Sequence, residues 1–112
     1  MLAEDQPGVR QAIRYLLDMD DHEVTEAANG REALDLFSRN SYDLVITDFA
    51  MPEMAGDELA VRIKHKIPSQ PIIMITAYAE EFTRCGQSAD ALLSKPFSFA
   101  DLRQAIARLL IS

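Results

Sequence analysis

Short uncharged runs alternate with segments of helical periodicity along the whole chain, and this alternation restricts the fold more than any other sequence feature. We predict strands at 1–3, 22–27, 44–47, 72–76 and 91–94, the first of them very short. Helical patterns fill the spaces between these strands and follow the last one. Strands that alternate with helices in this way form a parallel sheet with helices on both faces.

The helical segments carry their own start and stop signals. Pro7 suits a first helical turn, and the stripe that follows ends in the acidic turn at 18–21. Asn29 begins a second helix that ends near Asn40, and a third is predicted at 56–64. Phe82 and Cys85 suggest a short fourth helix at 79–87. Ser98 and Asp101 resemble a capping box, which opens the last helix.

Five βα units in a sheet this small predict a flavodoxin-like, doubly wound (βα)5 fold. Right-handed crossovers favour the strand order 2-1-3-4-5, with a shortened first strand in the middle. A chain of 112 residues, 48% of them hydrophobic, is long enough for one core, so we expect one domain over 1–112. In such sheets ligands bind beyond the carboxyl ends of the strands, here in the crevice between strands one and three.

Composition excludes several classes of function. A formal net charge of −7 argues against a nucleic-acid surface, since phosphate binding needs clustered Lys and Arg. No apolar run approaches the ~20 residues of a membrane span. Cys85 is the single cysteine and makes no internal disulfide, which fits a cytoplasmic, reducing setting.

Asp48 is the strongest candidate for function. It follows the branched run 44–47 and therefore stands at the carboxyl end of a buried strand. Pro52 forces an extended exit from this strand, and Gly56 gives the backbone freedom before the next helix. The alternative is an aspartate that only ends a strand or caps a helix, and Asp48 alone does not decide between the two.

Other polar residues at strand ends favour the functional interpretation. The predicted crevice brings Glu4 and Asp5 together with Asp48, and three carboxylates repel one another unless a cation lies between them. Oxygen ligands alone, few in number, favour Mg²⁺. Thr76 and Lys95 end strands four and five, and a hydroxyl with an ammonium suits a phosphate oxyanion.

This constellation resembles the receiver domain of two-component response regulators. The matching motifs run in order across almost the whole chain: Glu4-Asp5, Asp48 with Met51-Pro52-Glu53-Met54-Ala55-Gly56, Thr76-Ala77 and Lys95-Pro96-Phe97. Each motif is weak alone, and together they are specific. The resemblance implies a regulatory phosphoacceptor domain that is not an enzyme in its own right.

The resemblance also implies particular roles. Asp48 would accept a phosphoryl group from a histidine kinase or a phosphotransfer protein. Mg²⁺ would bind Asp5, Asp48 and the carbonyl of Ala50, with Glu4 acting through water or from behind the direct ligands.

On the phosphoryl side, Thr76 and Lys95 would hold the oxygens while the small Ala77 leaves space for them. The Lys95-Pro96 bond would be cis. Phosphorylation would alter the face formed by the fourth helix, the fifth strand and the last helix, for an output domain, a downstream protein or a second copy.

Two departures from the family pattern stand out. Only Met1, Leu2 and Ala3 precede the acidic pair, where the family has a longer first strand. Leu92 stands three residues before Lys95, where the family most often has tyrosine or phenylalanine. The aromatic ring that usually changes position with the signal is therefore absent.

Three alternative hypotheses remain, of which the first two belong to other classes of protein. A Mg²⁺-dependent phosphohydrolase also forms an aspartyl phosphate, but Ala50 occupies the place of its second carboxylate. A flavodoxin-type binding module would need a hydroxyl- and glycine-rich loop after strand one, and Glu4-Asp5-Gln6-Pro7-Gly8 is not one. A receiver-like docking module that no longer depends on phosphorylation is the third.

Overall fold

The computed structural model describes residues 1–77 and 89–110. Along the chain the elements are β1 (Leu2–Ala3), α1 (Pro7–Met19), β2 (Glu26–Ala27), α2 (Gly30–Arg39), β3 (Val45–Asp48), α3 (Gly56–Lys66), β4 (Ile72–Thr76), β5 (Ala91–Ser94) and α4 (Phe99–Leu110). The helix predicted at 79–87 lies outside the described residues, so α4 here is the last helix predicted from the sequence.

The five strands form one parallel sheet in the order β2-β1-β3-β4-β5. The predicted flavodoxin-like topology is confirmed, and so is the short first strand. Ala3 pairs with Thr47, and the end of β3 pairs with Ile75 of β4. Thr76 then pairs with Ser94. The carboxyl ends of β1, β3, β4 and β5 therefore meet at one edge.

The core lies in two layers because side chains alternate between the faces of each strand. Val45, Ile72 and Met74 face one layer with residues of α2 and α3. Ile46 and Ile73 face the other layer with residues of α1 and α4. Strands β3 and β4 are buried throughout, which explains why their sequences are uninterrupted by charge until Asp48.

Some element boundaries differ from the sequence prediction. The sequence predicts a second strand at 22–27, but only Glu26–Ala27 pair as strand. A strand needs a partner, and β1 offers only two residues for pairing, which limits the ladder. Strand β3 begins one residue later than predicted and includes Asp48, and α3 continues two residues beyond the predicted end.

Local chemistry accounts for the helix ends. The Asn29 side chain accepts a hydrogen bond from the Glu32 N–H at 2.8 Å and starts α2. The capping box predicted for the last helix is present. The Ser98 N–H donates to Asp101 at 3.1 Å, and the Asp101 N–H donates to the Ser98 hydroxyl at 3.0 Å. Among these helices of residues 1–77 and 89–110, none has the length and apolar character needed to cross a membrane.

Candidate functional site

The acidic side chains predicted for the crevice meet in the structure. One carboxylate oxygen from each of Glu4, Asp5 and Asp48 lies within 4.8 Å of the others. Glu4 and Asp48 are buried, with 1% and 6% of their surfaces exposed, and Asp5 is half-buried. The turn after β1 and the end of β3 bring them together, because these two strands are neighbours in the sheet.

Lys95 places a cation against this acidic cluster. Its Nζ lies 3.1 Å from Asp48 Oδ1 and 3.6 Å from Glu4 Oε1. The Lys95 N–H donates to the Thr76 carbonyl at 2.7 Å, so the end of β5 is tied to the end of β4. The Lys95-Pro96 peptide bond is cis, as the resemblance implied.

Burial affects the pKa of Glu4 more than its ion pair with Lys95 does. Desolvation raises the pKa of Glu4 to about 7, and the charge of Asp48 adds to this effect. The Gln6 N–H, which donates to Glu4 Oε2 at 3.2 Å, and the Lys95 ammonium oppose the rise in pKa. The balance means that a nearby cation of higher charge would favour the ionised form.

The pKa of Lys95 is raised even though the side chain is partly buried. Desolvation, the largest single effect, lowers the pKa of this ammonium, but the hydrogen bond with Asp48 and the charges of Asp48 and Glu4 together raise it more. The net pKa lies above the ordinary value for lysine. The side chain therefore stays a cation in contact with two carboxylates.

Two buried polar atoms lack hydrogen-bond partners among the residues that the structure describes. They are Glu4 Oε1 and Thr76 Oγ1. Buried polar atoms are nearly always satisfied, so both have room for a further partner. The Lys95 ammonium 3.6 Å from Glu4 Oε1 supplies charge there but no hydrogen bond. The oxygen donor set of the cluster suits a hard divalent cation, and a hydroxyl at the end of β4 suits an anion.

The loop after β3 folds back over the end of that strand. The Phe49 N–H donates to the Ile75 carbonyl at 2.8 Å, and the Gly56 N–H donates to the Phe49 carbonyl at 2.7 Å. A Cβ on Gly56 would overlap the carbonyl oxygen of Asp48 and lie 2.8 Å from Met74 Sδ. Glycine is therefore required where α3 begins beside the acidic cluster.

The remaining predicted residues lie near this centre or at its margin. Ala50 is exposed in the loop two residues after Asp48, and Ala77 is exposed directly after Thr76. Leu92 lies on β5 opposite Met74 and packs against the core layer that contains it.

One contact of the site was not predicted from the sequence. Arg10 Nη1 donates to the Glu4 carbonyl at 2.8 Å, and its Nε lies 3.6 Å from Glu26 Oε1. A signal was available, because Arg10 and Arg14 stand four residues apart and share one face of α1. The sequence does not reveal, however, that this face meets the Glu4 carbonyl.

A sequence model of the family described as the response regulator receiver domain matches residues 1–107. The chain belongs to this family. A receiver domain is a regulatory part of two-component signalling proteins, and its fold is the one described above.

Curated relatives of this receiver domain include the transcriptional regulatory protein SrrA of Staphylococcus aureus. SrrA is 35% identical over 102 residues, which cover 88% of this chain and 42% of SrrA. The chain thus spans less than half the length of that relative.

Solved structures of similar receiver domains superpose closely. Response regulator TrrA from Thermotoga maritima, in complex with Mg²⁺-BeF, has a TM-score of 0.92 and 34% identity, covering 97% of this chain and 96% of TrrA. The receiver domain of the Pseudomonas aeruginosa sensor histidine kinase PA1611, with a magnesium ion in its active-site cleft, has a TM-score of 0.91 and 30% identity. That match covers 99% of this chain and 95% of the PA1611 domain.

Proposed function

We propose that this receiver domain is a phosphorylation-dependent switch and that Asp48 is its phosphoryl acceptor. The observation that carries the proposal is the contact between Lys95 and Asp48 at 3.1 Å, beside two further carboxylates. An ammonium fixed against a strand-end carboxylate is placed to hold the oxygens of an incoming phosphoryl group.

We further propose that Mg²⁺ binds to the carboxylates of Asp5 and Asp48 and to the Ala50 carbonyl, with Glu4 close behind. The buried Glu4 Oε1 lacks a hydrogen-bond partner among the described residues, and it lies with two other carboxylates around one point, which supports a cation at this place. When bound, Mg²⁺ would neutralise negative charge on the phosphoryl group and the carboxylates around it.

In the proposed transfer, an Asp48 carboxylate oxygen forms a bond to phosphorus as the N–P bond of a phosphohistidine breaks. The bonding electron pair leaves with the imidazole nitrogen of the donor. Attack by a carboxylate needs no general base, so the protein contributes mainly position and charge. Lys95 and the Thr76 hydroxyl hold phosphoryl oxygens, and Ala77 leaves them space.

The proposal extends to partners and output. The donor is a histidine kinase or a phosphotransfer protein, and 1–112 acts as a single receiver domain. The phosphoryl group pulls the Thr76 hydroxyl inward and alters the face formed by the 79–87 segment, β5 and α4. An output domain, a downstream protein or a second copy then binds that face.

The test is incubation with acetyl phosphate and Mg²⁺, followed by intact mass spectrometry and peptide mapping. Wild type should gain one phosphoryl group on Asp48, and Asp48→Asn should gain none. Asp43→Asn is the matched control, because Asp43 is exposed and lies just before the same strand. Lys95→Ala should fold normally yet lose most of the labelling, since Lys95 is not part of the core.

Labelling of Asp48→Asn as strong as that of wild type would show that the acceptor lies elsewhere. Turnover of a small phosphate ester by wild type would instead favour the phosphohydrolase hypothesis. A folded wild type that never acquires phosphate, even with Mg²⁺, would favour the docking module.

A further inference from the structure

The turn that carries Glu4 and Asp5 is held by few contacts of its own. It follows a strand of two residues, and the N-cap of α1, Gln6, makes no side-chain capping hydrogen bond. On the β2 side, the Glu4 N–H donates to the Ala27 carbonyl at 3.0 Å. This bond fixes the nitrogen side of Glu4 and leaves the orientation of its carbonyl to other groups.

Arg10 supplies the hydrogen bond that the sheet does not. In a parallel ladder the Glu4 carbonyl would accept from the next N–H along β2, but β2 ends at Ala27. Arg10 Nη1 donates to this carbonyl at 2.8 Å instead. The guanidinium thus takes the place of a backbone N–H of β2 as the donor to the Glu4 carbonyl.

Arg10 is itself held in place. Its Nε lies 3.6 Å from Glu26 Oε1, and only 21% of its side chain is exposed. The other Glu26 oxygen pairs with Arg14 Nη1 at 2.6 Å, and Arg14 also pairs with Asp18 at 3.5 Å. Glu26 therefore orients two arginines, of which Arg10 is the one hydrogen-bonded to the backbone of the acidic turn.

We propose that Arg10 is a positioning residue that fixes the Glu4–Gln6 turn so that the acidic pair faces Asp48. This inference rests on the proposed function, because its consequence is the strength of Mg²⁺ binding. Arg10 contacts the backbone of Glu4 and the side chain of Glu26. It therefore acts on the position of the proposed metal ligands and takes no part in phosphoryl transfer itself.

The charge of Arg10 and its hydrogen bond to the turn predict opposite changes in Mg²⁺ affinity when Arg10 is replaced. Removal of a cation near an acidic cluster should, by electrostatics alone, tighten the binding of Mg²⁺. Loss of the hydrogen bond that orients the turn should weaken it, on the order of tenfold as for other groups that orient metal ligands. The sign of the change in Arg10→Ala therefore separates the two effects.

The test is a Mg²⁺ titration followed by ¹H–¹⁵N NMR at the amides of residues 4–6. Arg10→Ala should raise the dissociation constant about tenfold, and Arg10→Lys should recover part of the loss because its ammonium can still donate. Arg14→Ala is the matched control, since it removes the same charge from the same partner without touching Glu4. Its dissociation constant should stay at or slightly below that of wild type.

A second readout is the rate of phosphorylation by acetyl phosphate as the Mg²⁺ concentration is varied. Arg10→Ala should need more Mg²⁺ for half-maximal rate and reach nearly the wild-type rate at saturation. A variant that had merely lost folded protein would show a lower rate at saturation. Should Arg10→Ala fail to fold, Glu26→Gln, which keeps Arg10 but removes its anchoring charge, should give a smaller rise in the dissociation constant.

Equal Mg²⁺ affinity in wild type and folded Arg10→Ala would overturn this inference and leave the proposed function intact. The same would follow if Arg14→Ala weakened binding as much as Arg10→Ala. A folded wild type that binds no Mg²⁺ would overturn both.

Discussion

At the scale of single residues, Glu4 has the most unusual setting in the site. It is 1% exposed, and its neighbours include another buried carboxylate, Asp48, as well as the Lys95 ammonium. Burial first, and the charge of Asp48 second, raise its pKa to about 7. A carboxylate that resists ionisation in the folded state makes stability depend on pH.

We predict that, without divalent metal, the free energy of unfolding falls as pH rises from about 4.5 to about 7 because of Glu4. The folded state holds the Glu4 proton more tightly than the unfolded state does, so ionisation in this window favours unfolding. The contribution is on the order of 2–3 kcal/mol. Urea unfolding of wild type and Glu4→Gln at pH 5 and pH 7.5 measures it.

Glu4→Gln should lack most of that pH dependence, because its amide does not ionise. Glu58→Gln serves as control, since Glu58 is exposed and, within 1–77 and 89–110, its side chain pairs with Arg62 one turn away on α3. Identical pH profiles for wild type and Glu4→Gln would mean that Glu4 ionises as freely in the folded chain as in the unfolded one.

Gly56 is the second residue whose identity is dictated by its surroundings. A Cβ there would overlap the Asp48 carbonyl oxygen, whereas a Cβ on Gly8 would have no atom within 4 Å beyond its own helix and chain neighbours. We predict that Gly56→Ala costs about 1–3 kcal/mol and slows phosphorylation by displacing Asp48. Gly8→Ala, at an exposed position of α1, should be neutral or stabilise by up to about 1 kcal/mol.

Chemical denaturation and acetyl phosphate labelling of both glycine variants check this prediction. If Gly56→Ala matched Gly8→Ala in stability and labelling, the loop 49–56 would have room to move away from the strand end at little cost.

At the scale of elements, β4 and β5 are bonded to each other or to neighbouring elements at both ends of the segment that links them. The Lys95 N–H bonds the Thr76 carbonyl at the site end. At the other end, Asp90 accepts from the Ile72 N–H at 2.8 Å and from Lys64 Nζ at 2.6 Å. The chain between Thr76 and Asp90 is therefore attached at both of its ends to the sheet.

We predict that beryllofluoride with Mg²⁺, a phosphoryl mimic, raises hydrogen-exchange protection most at 77–90, apart from the site loop at 49–56. The reason is that a group drawn to Thr76 acts on one fixed end of that segment, and Leu92 is not an aromatic ring that could change position instead. Exchange followed by mass spectrometry, with Asp48→Asn as control, measures it. Unchanged exchange at 77–90 would exclude this route from site to surface.

Leu92→Tyr should alter the exchange response of 77–90 while phosphorylation stays close to that of wild type. Leu92 packs opposite Met74 and away from the acidic cluster, so the substitution reaches the read-out and not the chemistry. Leu93→Tyr, on the other face of β5, is the matched control. Equal effects of the two variants on exchange would show that the face of β5 does not matter.

At the scale of the whole molecule, the acidic cluster joins the ends of the central strands β1 and β3. A ligand bound there holds these strands together and should therefore stabilise the entire domain. We predict that 10 mM Mg²⁺ raises the free energy of unfolding by about 1–2 kcal/mol, if the dissociation constant is about 1 mM or somewhat lower. This corresponds to a rise of roughly 5–10 °C in Tm for a domain of this size. Calorimetry checks the value.

Asp5→Asn should abolish most of this Mg²⁺ stabilisation, because it removes a half-buried carboxylate from the cluster. Asp57→Asn is a suitable control, as Asp57 lies in the first turn of α3 and outside the cluster of three. A Tm that rises equally with Mg²⁺ in wild type and Asp5→Asn would place the bound ion elsewhere.

The sequence by itself determined the architecture and the composition of the site. Uninterrupted branched runs specify strands buried on both faces, and helical stripes between them specify parallel pairing, whose strand ends must meet at one edge. That rule is enough to bring Glu4, Asp5, Asp48, Thr76 and Lys95 together without any knowledge of distances.

Tertiary structure alone decided how much of the second strand pairs and which polar atoms bond to one another. The second strand ends up two residues long because its partner β1 offers only two residues for pairing, and no local propensity of 22–25 could reveal that. Because β2 also ends at Ala27, the Glu4 carbonyl is left to Arg10, which reaches it from α1 by packing. Burial, and with it the raised pKa of Glu4, likewise depends on the layers that close over the sheet, since desolvation is a property of the folded whole.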